Sequence, residues 1–94
     1  MLCVYVIYSK QENQYYIGQT SDLGKRICEH NTAFYSGTFT SKSKDWELFY
    51  KIDCISNKQA LKIERHLKKM KSRKFIEDLK RYPEISNKLI SRFS

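Results

Sequence analysis

Glycine, proline and long apolar runs are scarce in this chain of 94 residues. One proline and three glycines argue against a collagen-like or low-complexity chain, and an aromatic content of 14% favours a packed core. The longest apolar run, Leu2 to Tyr8, is far shorter than the ~20 residues that span a bilayer, and it lacks the flanks of a secretion signal. We therefore expect one soluble, unprocessed domain over residues 1–94 with no membrane partner, its core within about 2–80 and a helical tail at 81–94.

Cysteines are few and their spacing does not pair them. Cys3, Cys28 and Cys54 are odd in number and form no C-x-x-C pair, which argues against a disulfide framework and a structural zinc site. Cys28 lies two residues before His30, which suggests a metal site. Residues two apart on a helix point in different directions, however, so this spacing argues against a shared metal ion. A reducing location is therefore expected, and we predict a cytoplasmic protein.

Acidic residues are also in short supply. Ten Asp and Glu face eighteen Lys and Arg, which gives a net charge of +8. The segment from Lys62 to Arg81 holds nine basic and three acidic residues and supplies +6 of that charge. Such a cluster is typical of proteins that bind a polyanion, and nucleic acid is the expected partner. The alternative is a well-solvated helix surface.

Two β-prone segments flank a short polar stretch near the amino terminus. Residues 2–9 and 15–20 are rich in Val, Ile and Tyr, so the pattern predicts a β-hairpin. With residues 10–14 as its loop, Tyr8 pairs with Tyr16. Because directly opposed residues share a face, we expect these two tyrosines to line one surface.

Residues 22–31 are predicted to form a helix capped by Asp22. Arg26 and His30 lie one turn apart on it, at the edge of the apolar stripe. Residues 32–45 are predicted to form a loop, and we expect most of its aromatic residues to pack against the core. Those aromatic residues are Phe34, Tyr35 and Phe39.

A third strand and further helices are predicted after this loop. The strand covers Trp46 to Ile52, and the S-x-x-Q pattern from Ser56 to Gln59 predicts a capping box. Another helix starts at Ser72 or Arg73 and ends before Pro83. The apolar stripe of the first of these helices is Ala60, Ile63, Leu67 and Met70. The predicted class is α+β, a three-stranded antiparallel sheet flanked by helices in the order β-β-α-β-α-α.

Glu64 interrupts the apolar face of the helix that follows the capping box. A half-buried carboxylate needs an ion pair, hydrogen bonds or a metal ion, because an isolated one is costly to desolvate. The structural interpretation is an ion pair with Lys68 or Lys71. The functional interpretation is a metal ligand.

Five residues that are separated in sequence together favour phosphodiester cleavage. Two tyrosines, an arginine, a histidine and a carboxylate supply a proton acceptor, charge stabilisation and a metal ligand. They are Tyr8, Tyr16, Arg26, His30 and Glu64. The alternative for each is structural, since the tyrosines fit half-buried strand positions and Arg26 and His30 fit a protein surface.

The chain resembles a small stand-alone GIY-YIG nuclease domain, the fold also found at the amino terminus of UvrC. The resemblance runs from Val4 to about Leu79. It rests on an ordered set of motifs rather than on any one of them. These are Val6-Ile7-Tyr8, Tyr16-Ile17-Gly18, Asp22-Leu23-x-x-Arg26-x-x-x-His30, and Glu64 in a later helix.

The resemblance implies a divalent-metal-dependent endonuclease that hydrolyses DNA. Tyr16 is then the general base or its activating partner, and Tyr8 positions water or substrate. Arg26 binds the scissile phosphate, and His30 orients the tyrosine or the water. Glu64 holds Mg²⁺ or Mn²⁺, because hard cations prefer oxygen ligands and keep several waters.

The resemblance also implies a surface that binds nucleic acid. Two functions remain as alternatives to an endonuclease. The residues expected at this surface are Gln19, Lys25, Lys68, Lys71, Arg73 and Lys74. Val6 and Gln19 depart from the family pattern, since Val6 replaces a glycine and Gln19 replaces a lysine of UvrC-like members. The first alternative to an endonuclease is therefore a catalytically weakened nucleic-acid-binding domain. The second is a structural protein whose basic face binds an acidic partner.

The expected partner of the endonuclease is duplex or branched DNA, in repair or recombination. The enzyme is expected to be a monomer, with a protein partner for targeting.

Overall fold

The computed structural model describes residues 2–32, 44–70 and 72–93. The predicted loop aromatics Phe34, Tyr35 and Phe39 and the predicted nucleic-acid residue Lys71 lie outside these ranges. The elements in chain order are β1 (Cys3–Ser9), β2 (Gln14–Thr20), α1 (Leu23–Asn31), β3 (Trp46–Asp53), α2 (Asn57–Met70), α3 (Arg73–Arg81) and α4 (Glu84–Arg92). No helix within the described ranges is long and apolar enough to span a membrane.

The three strands form one antiparallel sheet in the order β2-β1-β3. The central strand β1 is buried along nearly its whole length, which explains why it reads as an uninterrupted apolar run. Helices cover both faces of the sheet. This architecture confirms the predicted α+β class with a three-stranded antiparallel sheet.

The two faces of the sheet have separate cores. Val4, Val6 and Ile17 point to one face, where they pack with residues of α2, α3 and α4. Tyr5 and Ile7 point to the other face, where α1 contributes Leu23 and Ile27 and β3 contributes Trp46. The helical partners in the first core are Ala60, Ile63, Leu67, Ile76, Leu79 and Leu89. Because Leu89 belongs to α4, the predicted tail is packed into the same core as the sheet.

Side-chain caps fix the helix starts that the sequence predicted. Asp22 accepts a hydrogen bond from the backbone N–H of Lys25 at 3.2 Å, and Ser72 accepts one from Phe75 at 3.1 Å. Ser56 accepts from the backbone of Gln59, whose own Oε1 accepts from Ile55 rather than from the capping serine. Each cap satisfies amide groups that the helix leaves without an internal partner.

The predicted apolar stripe of α2 is wrong at its last member. Ala60, Ile63 and Leu67 are buried, but Met70 is 44% exposed. Met70 is the last residue of the helix. The 3.6-residue period specifies which face a residue occupies, but not how far the neighbouring core extends along that face.

Candidate active site

His30 lies at the centre of a buried polar and aromatic cluster between α1 and the sheet. The side chain is 3% exposed, and its Nε2 atom is 2.9 Å from the hydroxyl of Tyr5. The Tyr16 ring meets the imidazole edge-on, with 5.1 Å between ring centroids. The structure therefore brings Tyr16 and His30 together and excludes a surface position for His30.

Tyr5 is the member of this cluster that sequence reasoning missed. It pairs with Gly18 across the β1–β2 ladder, and its ring lies against that glycine. A Cβ atom at Gly18 would lie 2.5 Å from the Tyr5 hydroxyl oxygen, so the ring occupies the space where a side chain would be. Correct pairing of Tyr5 with the glycine of the second motif would have revealed it.

Two side chains at the ends of α1 hold His30 in position. The cap at Asp22 fixes the start of the helix, and Asn31 fixes its end against β3. The Asn31 side chain accepts a hydrogen bond from the backbone N–H of Trp46 at 2.7 Å and donates one to its carbonyl at 2.9 Å. The last turn, which carries His30, is therefore anchored directly to the sheet.

The charge state of His30 follows from its surroundings. Burial lowers the pKa of His30, and the positive charge of Arg26 lowers this pKa further, whereas Glu29 raises it. These surroundings favour the neutral imidazole in the hydrogen bond with Tyr5. Arg26, one turn earlier on α1, is partly buried and supplies the positive charge of this site.

The predicted pairing of Tyr8 with Tyr16 is wrong. Tyr8 pairs with Tyr15, and Tyr16 pairs with Ile7, so Tyr8 and Tyr16 point to opposite faces of the sheet. The Tyr8 hydroxyl donates a hydrogen bond to Asn13 at 2.6 Å. The loop covers residues 10–13, one fewer than predicted, and Asn13 turns the chain with a φ of 51°. A shift of one residue transfers every side chain of a strand to the other face.

Glu64 belongs to α2, which packs on the face of the sheet opposite α1. Its side chain is 14% exposed, and Oε2 forms an ion pair with the Lys68 ammonium at 2.7 Å. The predicted ion pair between Glu64 and Lys68 is thus present. Lys68 lines a groove of about 360 Å³ together with Tyr16, Ser72 and Arg73 at the β2 edge of the sheet. This groove connects the surroundings of Glu64 with one member of the His30 cluster.

The residues around Glu64 fit only a metal ion that binds weakly, through one protein carboxylate. Within the described ranges, no three His, Cys, Asp or Glu side chains come together as a metal cage. A single carboxylate suits Mg²⁺, which keeps several waters and takes further oxygens from a substrate phosphate. The Lys68 ammonium competes with any cation for the same carboxylate.

The residues predicted to bind nucleic acid have different surroundings. Lys25 lines a depression of about 220 Å³ together with Arg26 and Asp22, and Lys74 is exposed on α3. Gln19 is partly buried on β2. Arg73 has a structural task, because its guanidinium donates hydrogen bonds to the backbone carbonyl and side chain of Asn13, at 2.9 and 2.8 Å.

Comparison with known proteins identifies the family. The model of the GIY-YIG catalytic domain matches residues 1–77, which include the three strands, α1, α2 and the first part of α3. Searches of curated proteins and of solved structures returned no significant match. The matched residues include the His30 cluster, Arg26 and Glu64. The chain therefore belongs to the GIY-YIG family of nuclease domains.

Proposed function

We propose that this protein is a divalent-metal-dependent endonuclease that hydrolyses DNA phosphodiester bonds. The observation that carries the proposal is the cluster of buried Tyr5 and His30 with partly buried Tyr16 beside Arg26, all within the matched catalytic domain. The net charge of +8 favours a polyanionic substrate.

Arg26 binds the scissile phosphate in this proposal. A guanidinium stays charged at every relevant pH and donates two parallel hydrogen bonds to phosphoryl oxygens. It therefore stabilises the negative charge that grows in the transition state. Its partial burial reduces the screening by water that a fully exposed arginine experiences.

Tyr16 acts as the general base in its phenolate form, whose oxygen accepts the proton of the attacking water, and His30 and Tyr5 hold the Tyr16 ring in place. The edge-on contact of the imidazole restricts the Tyr16 ring, and the hydrogen bond to Tyr5 restricts the imidazole. Tyr5 takes over the positioning task that the sequence had assigned to Tyr8. The reason is its location, because Tyr5 shares a face of the sheet with Tyr16 and Tyr8 does not.

Glu64 is the residue that would hold Mg²⁺ or Mn²⁺. When bound there, the ion supplies positive charge to the phosphoryl oxygens and to the leaving alkoxide. A metal ion at Glu64 would take the place of the Lys68 ammonium on that carboxylate. Lys68, which lines the groove at the β2 edge, would then be available to a neighbouring phosphate.

A catalytically weakened nucleic-acid-binding domain is the second candidate. It is favoured by the Glu64–Lys68 ion pair, which satisfies the carboxylate without a metal, and by the neutral Gln19.

The proposal for the endonuclease also includes its setting. It is a cytoplasmic monomer that acts in DNA repair or recombination and has a protein partner for targeting. Three free cysteines support the reducing location.

Nicking of supercoiled plasmid tests the proposal. Purified protein is incubated with Mg²⁺, with Mn²⁺ and with EDTA, beside Arg26→Ala and Glu64→Gln variants, and Lys10→Gln serves as the exposed-cation control. We expect metal-dependent nicking by the wild type and the control, and its loss in the other two. If the wild type binds plasmid and branched DNA yet cuts neither, the weakened binding domain is the better account.

A further inference from the structure

A second basic surface lies between α2 and α4. Its lining, called here the basic hollow, consists of Lys62, Arg65, His66, Lys69, Arg92 and Phe93. The hollow has a volume of about 520 Å³, and none of these lining residues carries a carboxylate side chain. It therefore gathers four permanent positive charges around one concave surface.

These charges are not neutralised from within the described parts of the chain. The ion pairs there join Lys51 to Asp53 and Lys68 to Glu64, and neither uses a cation of the basic hollow. Burial lowers the pKa of His66, and Arg92 and Lys69 lower this pKa further. Arg92 and Lys69 thus place positive charge beside His66 in the hollow, and a concave surface of one sign attracts a polyanion.

The basic hollow lies on a different side of α2 from Glu64. At 100° per residue, Glu64 is about 160° around the helix from Lys62. The flank that carries Glu64 and Lys68 faces the groove at the β2 edge, and the flank that carries Lys62 faces α4. A nucleic-acid segment held at the candidate active site therefore leaves the hollow available to another segment.

The spacing of the cations suits a phosphate backbone. Lys62 and Lys69 are separated by roughly 10 Å along the axis of α2, with Arg65 between them. Phosphates of one DNA strand advance about 3.4 Å per step along the duplex axis, so this row spans roughly three steps. Arg92 adds a cation from α4 and is held over the Phe93 ring, with 5.2 Å from its guanidinium carbon to the centroid.

We propose that the basic hollow binds the phosphate backbone of a nucleic-acid segment outside the scissile site. The protein then holds its substrate at two places. The choice of nucleic acid as ligand rests on the proposed function, whereas binding at the hollow requires neither Glu64 nor cleavage.

The test measures DNA binding in EDTA, where no cleavage takes place. A Lys62→Gln/Lys69→Gln variant is compared with a Lys10→Gln/Arg81→Gln variant, which loses the same charge at exposed positions elsewhere. Fluorescence anisotropy with a labelled duplex gives the Kd over a series of salt concentrations. An Arg65→Gln/Arg92→Gln variant provides a second measurement on the hollow, and circular dichroism confirms that each variant is folded.

The hollow variants are expected to raise the Kd roughly tenfold and to reduce the slope of log K against log salt by about 2, one for each lost phosphate contact. The control is expected to keep both values near those of the wild type. If hollow and control variants bind alike, the proposal is overturned. Binding of the same variants to anionic lipid vesicles is measured as well. If the hollow variants lose vesicle binding but keep the wild-type affinity for DNA, the proposal is also overturned, in favour of a membrane surface as the ligand. Because the readout is binding alone, failure of the nuclease proposal leaves this result interpretable.

Discussion

Replacement of Gly18 by alanine tests the packing that creates the candidate active site. The added Cβ would lie 2.5 Å from the Tyr5 hydroxyl oxygen and 2.7 Å from the ring carbon that bears it. Carbon contacts are favourable near 3.5–4.0 Å, so the ring has to move by roughly 1 Å. Tyr5 is 2% exposed and bonded to His30 at 2.9 Å, which leaves little room for this movement.

Overpacking of this kind costs about 1–3 kcal/mol, and 1 kcal/mol corresponds to roughly 4–8 °C in the Tm of a domain of this size. Gly24→Ala is the matched control, because a Cβ there meets nothing within 4 Å and Gly24 lies inside α1. Alanine is better than glycine by about 1 kcal/mol in a helix interior, and Gly24 lies in the first turn of α1, so the Tm of the control should be unchanged or slightly higher. Calorimetry measures both variants. NMR spectra of the His30 side chain are compared as well. If Gly18→Ala is as stable as the wild type or more stable, and its His30 resonances are unchanged, the close packing of Tyr5 against Gly18 is refuted.

Three further outcomes are expected. Asn31→Ala should destabilise the protein by about 2 kcal/mol, because the backbone groups of β3 that it bonds lose their partners, and urea denaturation would contradict this if the loss is below ~0.5 kcal/mol. Burial lowers the folded-state pKa of His30 and His66 below the unfolded value of about 6.5. The unfolded chain therefore binds more protons below that pH, so stability should fall on acidification and fall less in a His30→Gln variant; a flat profile from pH 7 to about pH 5 would refute this. Lys68→Met should increase the rise in Tm on adding Mg²⁺, because it removes the ammonium that competes for Glu64, and an unchanged Mg²⁺ shift would exclude Glu64 as the ligand.

The helix starts were predictable because short-range chemistry determines them. Asp22 and Ser72 cap their helices with side-chain oxygens only three residues from the bonded amides. The buried face of α2 was predictable as far as Leu67 for the same reason, since its period is a property of the helix, whereas the exposure of Met70 depends on where the neighbouring core ends. Arg26 and His30 were placed correctly one turn apart because both belong to one helix.

The partners of Tyr16 were not predictable from the same information. They depend on the register of β1 against β2, and the length of one loop sets that register. The left-handed conformation of Asn13 accompanies a loop one residue shorter than predicted, and the resulting register places Tyr5 rather than Tyr8 on the face of the sheet that carries Tyr16. Asn adopts this conformation more readily than most residues, but its presence does not require it.

The most direct test of the account compares cleavage by Tyr5→Phe and Tyr8→Phe variants of the same protein. Each change removes one hydroxyl, and the two hydroxyls lie on opposite faces of the sheet. Single-turnover rates on supercoiled plasmid with Mg²⁺ should fall roughly tenfold for Tyr5→Phe, which corresponds to the loss of about one hydrogen bond that positions His30. Tyr8→Phe should cleave at nearly the wild-type rate. A large loss in Tyr8→Phe together with wild-type cleavage by Tyr5→Phe would contradict the location of the active site beneath α1.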